Sequence, residues 1–234
     1  MKVSLVAVVL VIGLTAAAHA ASDGPAIAPP PPWVKPVPPA TPPLKSDDTP
    51  VRVLLIDQQL ALETGRTTLY SETVFRIQTA QGLSAGNISV PWSPDTDTLT
   101  VHKLLIRRGD QTIDVLKSGG TFTVLRREQN LESASLDGVL TANIQPEGLQ
   151  VGDTIEFAAS VSSSDPIFKG HVEEFAANWN DVAAGRAHLR MQWPAALKAR
   201  VRPTSALPAL KPVTDNGVTS VELSLDGVEP MLPP

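Results

Sequence analysis

The sequence predicts an all-β fold, a β-sandwich, on three observations. Apolar and polar residues alternate with period two through much of residues 51–234. Turn signals of Gly, Pro, Asp and Asn divide these runs into about ten short strands. No segment of ten or more residues carries an uninterrupted helical stripe, and no fixed-period repeat suggests a propeller or solenoid. The 184 residues of this part suffice for one large domain, or for two β subdomains, with a sizeable core.

Residues 1–20 are of another kind. Lys2 gives a positive start, Val3 to Leu14 an apolar stretch, and Ala18-His19-Ala20 a small-residue cleavage site, so a signal peptide removed after Ala20 is expected. A retained membrane anchor is the competing reading. It would need roughly 20 apolar residues to cross the hydrocarbon layer, and twelve are present. A bacterial lipid anchor would require a cysteine where Ala21 stands. The expected location is periplasmic or secreted, without stable membrane insertion after cleavage.

The chain has no cysteine, which excludes disulfides, thiolate zinc sites and cysteine nucleophiles. Loss of Lys2 with the signal peptide takes the net charge from −5 to −6, and this modestly acidic balance does not invite nucleic acid. Eleven of the 22 prolines fall in residues 21–50, among them Pro29 to Pro32 and Pro36-Val37-Pro38-Pro39. Proline lacks a backbone donor and fixes φ, so the stretch reads as an extended polyproline II spacer, free of sheet and helix. A sharper reading makes it a ligand for an aromatic-lined groove, with Trp33 as anchor.

In the folded part, Leu99, Val101, Lys103 and Leu105 mostly share one strand face, and Gly109-Asp110 turns the chain into Thr112 to Leu116. Phe122 and Val124 mark the next strand. Asp137-Gly138 precedes Leu140, Ala142 and Ile144, and Pro146-Glu147-Gly148 leads to Ile155, Phe157, Ala159 and Val161. Ala187, Leu189, Met191 and Trp193 alternate with Arg186, His188, Arg190 and Gln192, the pattern of a strand with one wet side. Leu197, Ala199 and Val201 repeat it against Lys198, Arg200 and Arg202. Asn216-Gly217 signals a hairpin into Val221, Leu223 and Leu225.

Gly82-Leu83-Ser84-Ala85-Gly86 matches the G-x-S-x-G elbow of α/β-hydrolases, which requires a helix after the nucleophile. Here Asn87 to Trp92 reads as a short strand, so a glycine-rich loop is expected, with Ser84 out of reach of His102, His171 and His188. Asp95 and Asp97 lack the glycine and glutamate of a calcium loop, since Thr100 and Ile106 stand at those places, and read as a solvated turn. His102 and His188 fall on strand faces expected to look outward. His171 beside Glu173 and Glu174 is the one ligand-like cluster, too small for a metal assignment. Trp193 is in phase with a core and Trp92 lies between proline-containing turns. Trp179, with Asn178, Asn180 and Asp181, is left as the candidate sugar-stacking site. No catalytic, cofactor or metal residue is assigned.

The order of several pieces resembles the family called domain of unknown function 3857. They are Pro91-Trp92-Ser93-Pro94-Asp95-Thr96-Asp97-Thr98-Leu99-Thr100-Val101 running into a hairpin near Arg107 to Asp114, then Leu149-Gln150-Val151-Gly152-Asp153-Thr154-Ile155-Glu156-Phe157, and Arg186 to Pro194 ending at a Trp-Pro. The resemblance implies an immunoglobulin-like β-sandwich with additional β structure in the C-terminal half, and no catalytic residue in this part. It also implies association with a transglutaminase-like domain, whose Cys-His-Asp triad would carry chemistry this cysteine-free chain cannot. The expected function is a non-catalytic exported domain that binds or positions a protein or cell-envelope partner; a carbohydrate-binding module of the envelope is the alternative.

Overall fold

The computed structural model describes residues 24–40, 49–126, 138–174, 182–203 and 207–230. They form twelve strands: β1 (Ala26–Ile27), β2 (Val51–Glu63), β3 (Arg66–Ile77), β4 (Ile88–Trp92), β5 (Asp97–Arg108), β6 (Gln111–Asp114), β7 (Thr123–Arg126), β8 (Leu140–Ile144), β9 (Thr154–Ser163), β10 (Ala184–Pro194), β11 (Val213–Asp215) and β12 (Val218–Val228). The fold is all-β, as the alternation predicts. A nine-stranded sheet runs β1-β5-β9-β3-β2-β10-β12-β11 with β6 paired to β5, and a three-stranded sheet runs β4-β8-β7. Pairing in the large sheet is antiparallel except for β2 with β10 and β1 with β5.

The two sheets stack through apolar side chains. Phe75, Ile77, Leu104, Ile106 and Ile155 of the large sheet meet Ile88 and Ile144 of the small one, and next to them Trp92 and Ala142 meet Leu99, Val101 and Ala159. At the far end of the large sheet the same face carries Ala187, Leu189 and Leu223, packed by Leu207 and Leu210. Trp193 is buried too, at 6% exposure.

Turn chemistry falls where the sequence places it. Asn216 and Gly217 both take positive φ, 47° and 78°, as a two-residue hairpin of matching twist requires. At the turn that enters β9, Asp153 is 1% exposed; its two carboxylate oxygens accept from Arg108 at 2.8 and 2.7 Å, and one of them also accepts from the Gln150 amide at 2.8 Å. The Gly-Asp element thus ties the β5–β6 hairpin to the loop before β9. Asp97 likewise organises its turn, accepting from the Ser93 amide at 3.0 Å and from the Ser163 hydroxyl at 2.7 Å.

Three expectations are corrected. Residues 197–201 are not a strand: β10 stops at Pro194, and the chain turns with the Leu197 amide bonded to the Pro194 carbonyl. Leu99, Val101, Lys103 and Leu105 do not share a face, because the β5–β9 register slips between Val101 and Lys103 and leaves His102 unopposed. After this bulge the core positions become Leu104 and Ile106, while His102 and Lys103 both contact the opposite face. The third concerns the proline-rich stretch: residues 28–40 carry no strand or helix, but the stretch does not stand free of the sheet. Residues 24–40 pack on the large sheet: β1 joins the edge of β5, the Ala28 amide donates to Val101 at 3.2 Å, and the Ala40 amide donates to Leu54 at 3.1 Å. Proline withholds its own donor, but it leaves the intervening amides and every carbonyl free to bond. Residues 24–40 are termed the strap below.

Candidate functional site

The face of the large sheet turned away from the small one is polar and largely buried. Pairing places Asp57 opposite Glu72 and Gln59 opposite Tyr70 on β2–β3, Tyr70 opposite Ser160 on β3–β9, and His188 and Arg190 beside Asp57 and Gln59 on β10. Asp57, Gln59, Tyr70, Glu72, Glu156, Ser160, His188 and Arg190 are all under 9% exposed. Buried polar groups must be paired to be tolerated, and here they fall into separate bonded groups, one around Glu72 and one around His188, with the Ser160–His102 pair beside the first.

At one end Arg107 donates to Glu156 at 2.9 Å. Lys103 lies 3.7 Å from Glu156 and donates to Glu72 at 2.6 Å, and the Tyr70 hydroxyl donates to Glu72 at 2.6 Å. Burial, then Glu72, raises the Tyr70 pKa far above its ordinary value, so the phenol stays protonated. The His102 ring lies 5.7 Å from the Tyr70 ring. Its Nδ1 is 2.8 Å from the Ala28 carbonyl, which can only accept, so Nδ1 carries the proton. Burial lowers the His102 pKa more than the strap carbonyls raise it. The neutral ring then offers Nε2 as acceptor to the Ser160 hydroxyl at 2.8 Å.

At the other end His188 is 3% exposed and held between two carboxylates, Nδ1 at 2.7 Å from Asp57 and Nε2 at 3.2 Å from Glu222. Burial pushes its pKa down, and the Asp57 and Glu222 carboxylates push it up by more, so it stands above the ordinary histidine value. Burial acts upward on Glu222, but Lys35 and His188 together bring its pKa below the ordinary value.

The strap seals this face by main-chain recognition. Gln59 accepts from the Lys35 amide at 2.9 Å and donates to the Lys35 carbonyl at 2.6 Å. Arg190 donates to the Trp33 carbonyl at 3.1 Å, Arg186 to the Pro38 carbonyl at 3.1 Å, and Lys35 Nζ to Glu222 at 2.9 Å. His188 is therefore a covered interior group and His102 a half-buried one beneath the strap, not the outward-facing pair expected.

The Ser160–His102 pair places a hydroxyl beside a neutral imidazole. Ser160 sits mid-strand on β9, which is laddered on one side to β3 and on the other to β5. Ser84 lies in a 3₁₀ turn, Ala80–Gly86, between β3 and β4, and its hydroxyl donates to the Gln81 carbonyl at 3.0 Å. Close packing explains the flanking glycines. A Cβ on Gly82 would lie 2.1 Å from the Pro50 carbonyl oxygen, and one on Gly86 would lie 2.1 Å from Leu149 Cδ1.

The remaining expected positions are scattered. Trp179, Asn178, Asn180 and Asp181 lie outside the described residues. His171 is exposed, and Glu174 accepts from the Thr67 hydroxyl at 3.3 Å. Trp92 is in the core between the sheets. Among the described residues no helix is long and apolar enough to cross a membrane.

A search of curated proteins returns no match. Among solved structures the chain is similar to a "putative protease" from Parabacteroides distasonis ATCC 8503, with 14% identity and a TM-score of 0.60 over 76% of this chain. That likeness shows the fold alone. The matched part is 36% of the other chain, so this chain spans little more than a third of that molecule. The sequence model of the family described as "Domain of Unknown Function with solved-structure structure (DUF3857)" matches residues 63–231, which include all of β3 to β12. With most of its length matched, the chain belongs to the DUF3857 family.

Proposed function

We propose that this chain is a non-catalytic, exported domain that binds and positions a protein partner in the cell envelope. Cleavage after Ala20 and a periplasmic or secreted location belong to this reading, which draws them from Lys2, the short apolar stretch and Ala18-His19-Ala20. The observation that carries it is the polar face: its buried groups are used to hold a stretch of polypeptide through side-chain contacts to backbone. A transglutaminase-like or peptidase domain is the partner class the reading favours. Support comes from the family's resemblance and from the small share that the chain covers of a larger molecule named for proteolysis.

Calorimetric titration of the purified chain with a separately produced transglutaminase-like domain from the same genome tests the reading. Saturable binding, with no fluorophosphonate labelling of the chain, is the expected result. Stoichiometric labelling abolished by Ser160→Ala or Ser84→Ala would overturn it, as would absence of binding to both a transglutaminase-like and a peptidase domain.

A further inference from the structure

We infer that the polar face of the large sheet is a receptor surface for an extended, proline-bearing polypeptide, that the strap is its tethered occupant, and that a separate protein with such a segment docks by taking the strap's place. The inference rests on the binding role proposed above and names the partner's chemistry.

The surface is rich in donors. His102, Arg190, Gln59 and Arg186, from β5, β10 and β2, give hydrogen bonds to the carbonyls of Ala28, Trp33, Lys35 and Pro38. A proline-rich segment suits such a face because each proline keeps its carbonyl and brings no N–H that would need an acceptor. The contacts read main chain, so many sequences of this kind can satisfy them. One side-chain contact adds selectivity: Glu222, half exposed, pairs with Lys35, which asks for a basic residue at that place in the incoming segment.

Two features show that the strap is a replaceable occupant. Only Ala26–Ile27 pairs as a strand; beyond it the strap is held by separate side chains and isolated amide bonds, without a continuous ladder. The fit is also incomplete. Arg190 is 8% exposed, yet its Nε has no hydrogen-bond partner among the described residues, and a Glu222 carboxylate oxygen stands 3.9 Å away. A segment presenting an acceptor there would complete what the strap leaves open. Because the strap is tethered, it competes at an effective concentration on the order of millimolar, which screens out weak binders.

The test uses a fluorescent synthetic peptide of residues 24–40, titrated by anisotropy against the whole purified chain. Lys35→Glu, an exposed change in the strap that opposes Glu222, should loosen the internal competitor and tighten peptide binding at least about fivefold relative to wild type. Adding Arg190→Leu to that variant should remove the gain. Should Arg190→Leu lower the melting temperature sharply, Arg186→Ala, at a more exposed position, replaces it with the same expectation. Equal peptide affinity for the wild-type and Lys35→Glu chains overturns the inference, as does binding indifferent to both arginine changes. Lys35→Glu chains that form dimers by exchanging straps and exclude the peptide would assign the surface to a second copy, and so overturn a separate partner. If a transglutaminase-like domain binds equally to wild type and to all these variants, the inference fails while the proposed function stands.

Discussion

On one face of the large sheet Leu104, Ile106 and Ile155 are buried against the small sheet; on the other Asp57, Glu72, Glu156 and His188 are buried beneath the strap and among one another. The first surface is held by area removed from water, a non-directional term that any well-shaped apolar neighbour supplies. The second is held by pairs, each member of which needs its particular partner to offset desolvation. A sheet with two buried faces can therefore be robust on one and exacting on the other. The exacting face is the one able to discriminate between occupants.

The sharpest way to break the comparison is to remove volume from the apolar side. Ile155→Ala or Leu104→Ala, at positions 0% exposed, should each cost about 2–5 kcal/mol in denaturant unfolding. Ile155→Val should cost only about 0.5–1.5 kcal/mol. A loss under that smaller range for Leu104→Ala would show that the stacked sheets do not dominate stability.

Next in size is Glu72→Ala, which strips the acceptor from both Tyr70 and Lys103. Lys103 is partly exposed and keeps Glu156 nearby, so the cost should be about 2–3 kcal/mol, near the low end for a broken buried pair. Adding Lys103→Met should recover part of that loss. Recovery by a second mutation is the mark of the paired face, since two apolar truncations made far apart simply add. A strictly additive Glu72→Ala and Lys103→Met pair would erase the distinction.

Acidity tests the same face more gently. His188 has its pKa raised above 6.5, so its contribution is complete below 6.5 and is lost as pH rises through the folded value. Glu222 is depressed below 4.5, so its contribution is complete above 4.5 and is lost as pH falls through the folded value. Thermal melts across pH should show His188→Gln differing most from wild type in mild acid, with the gap closing as pH rises. A gap that is constant with pH would mean that the ring is not held charged. The smallest effect belongs to Lys35→Ala: an exposed pair contributes about 0–1 kcal/mol and weakens with salt. Its removal should leave melting nearly unchanged while speeding exchange of the strap amides.

The apolar face was the legible one. Alternation in Ile155, Phe157, Ala159 and Val161, and in Ala187 to Trp193, places β9 and β10 directly, and Asn216-Gly217 marks the β11–β12 turn. The β2–β3 hairpin, the longest of all, carries a weaker signature: Val53 to Ile56 is continuously apolar, and Asp57 and Gln59 break the pattern because they face the strap. The bulge at His102 could not be read from period two, since one unopposed residue shifts the phase of everything after it. The polar face was hidden for a related reason. Arg186, His188, Arg190 and Gln192 look like an outward row, and only the tertiary return of a segment about 150 residues earlier covers them. One local hint was present: a histidine and an arginine at alternate positions on β10 match an aspartate and a glutamine at alternate positions on β2.

The strap lies far from its seat along the chain. Its contacts join Trp33 to Arg190, Pro38 to Arg186 and Lys35 to Glu222, separations of 157, 148 and 187 residues. The strands bearing those partners, β10 and β12, follow most of the others in the sequence, so the seat cannot form before they are in place. Closing loops of this length adds little free-energy cost for each further doubling, but it slows the search. The strap should therefore dock as a late kinetic phase, after the two sheets have stacked. Until that phase ends, each newly folded molecule passes through an interval with its donor-rich face open.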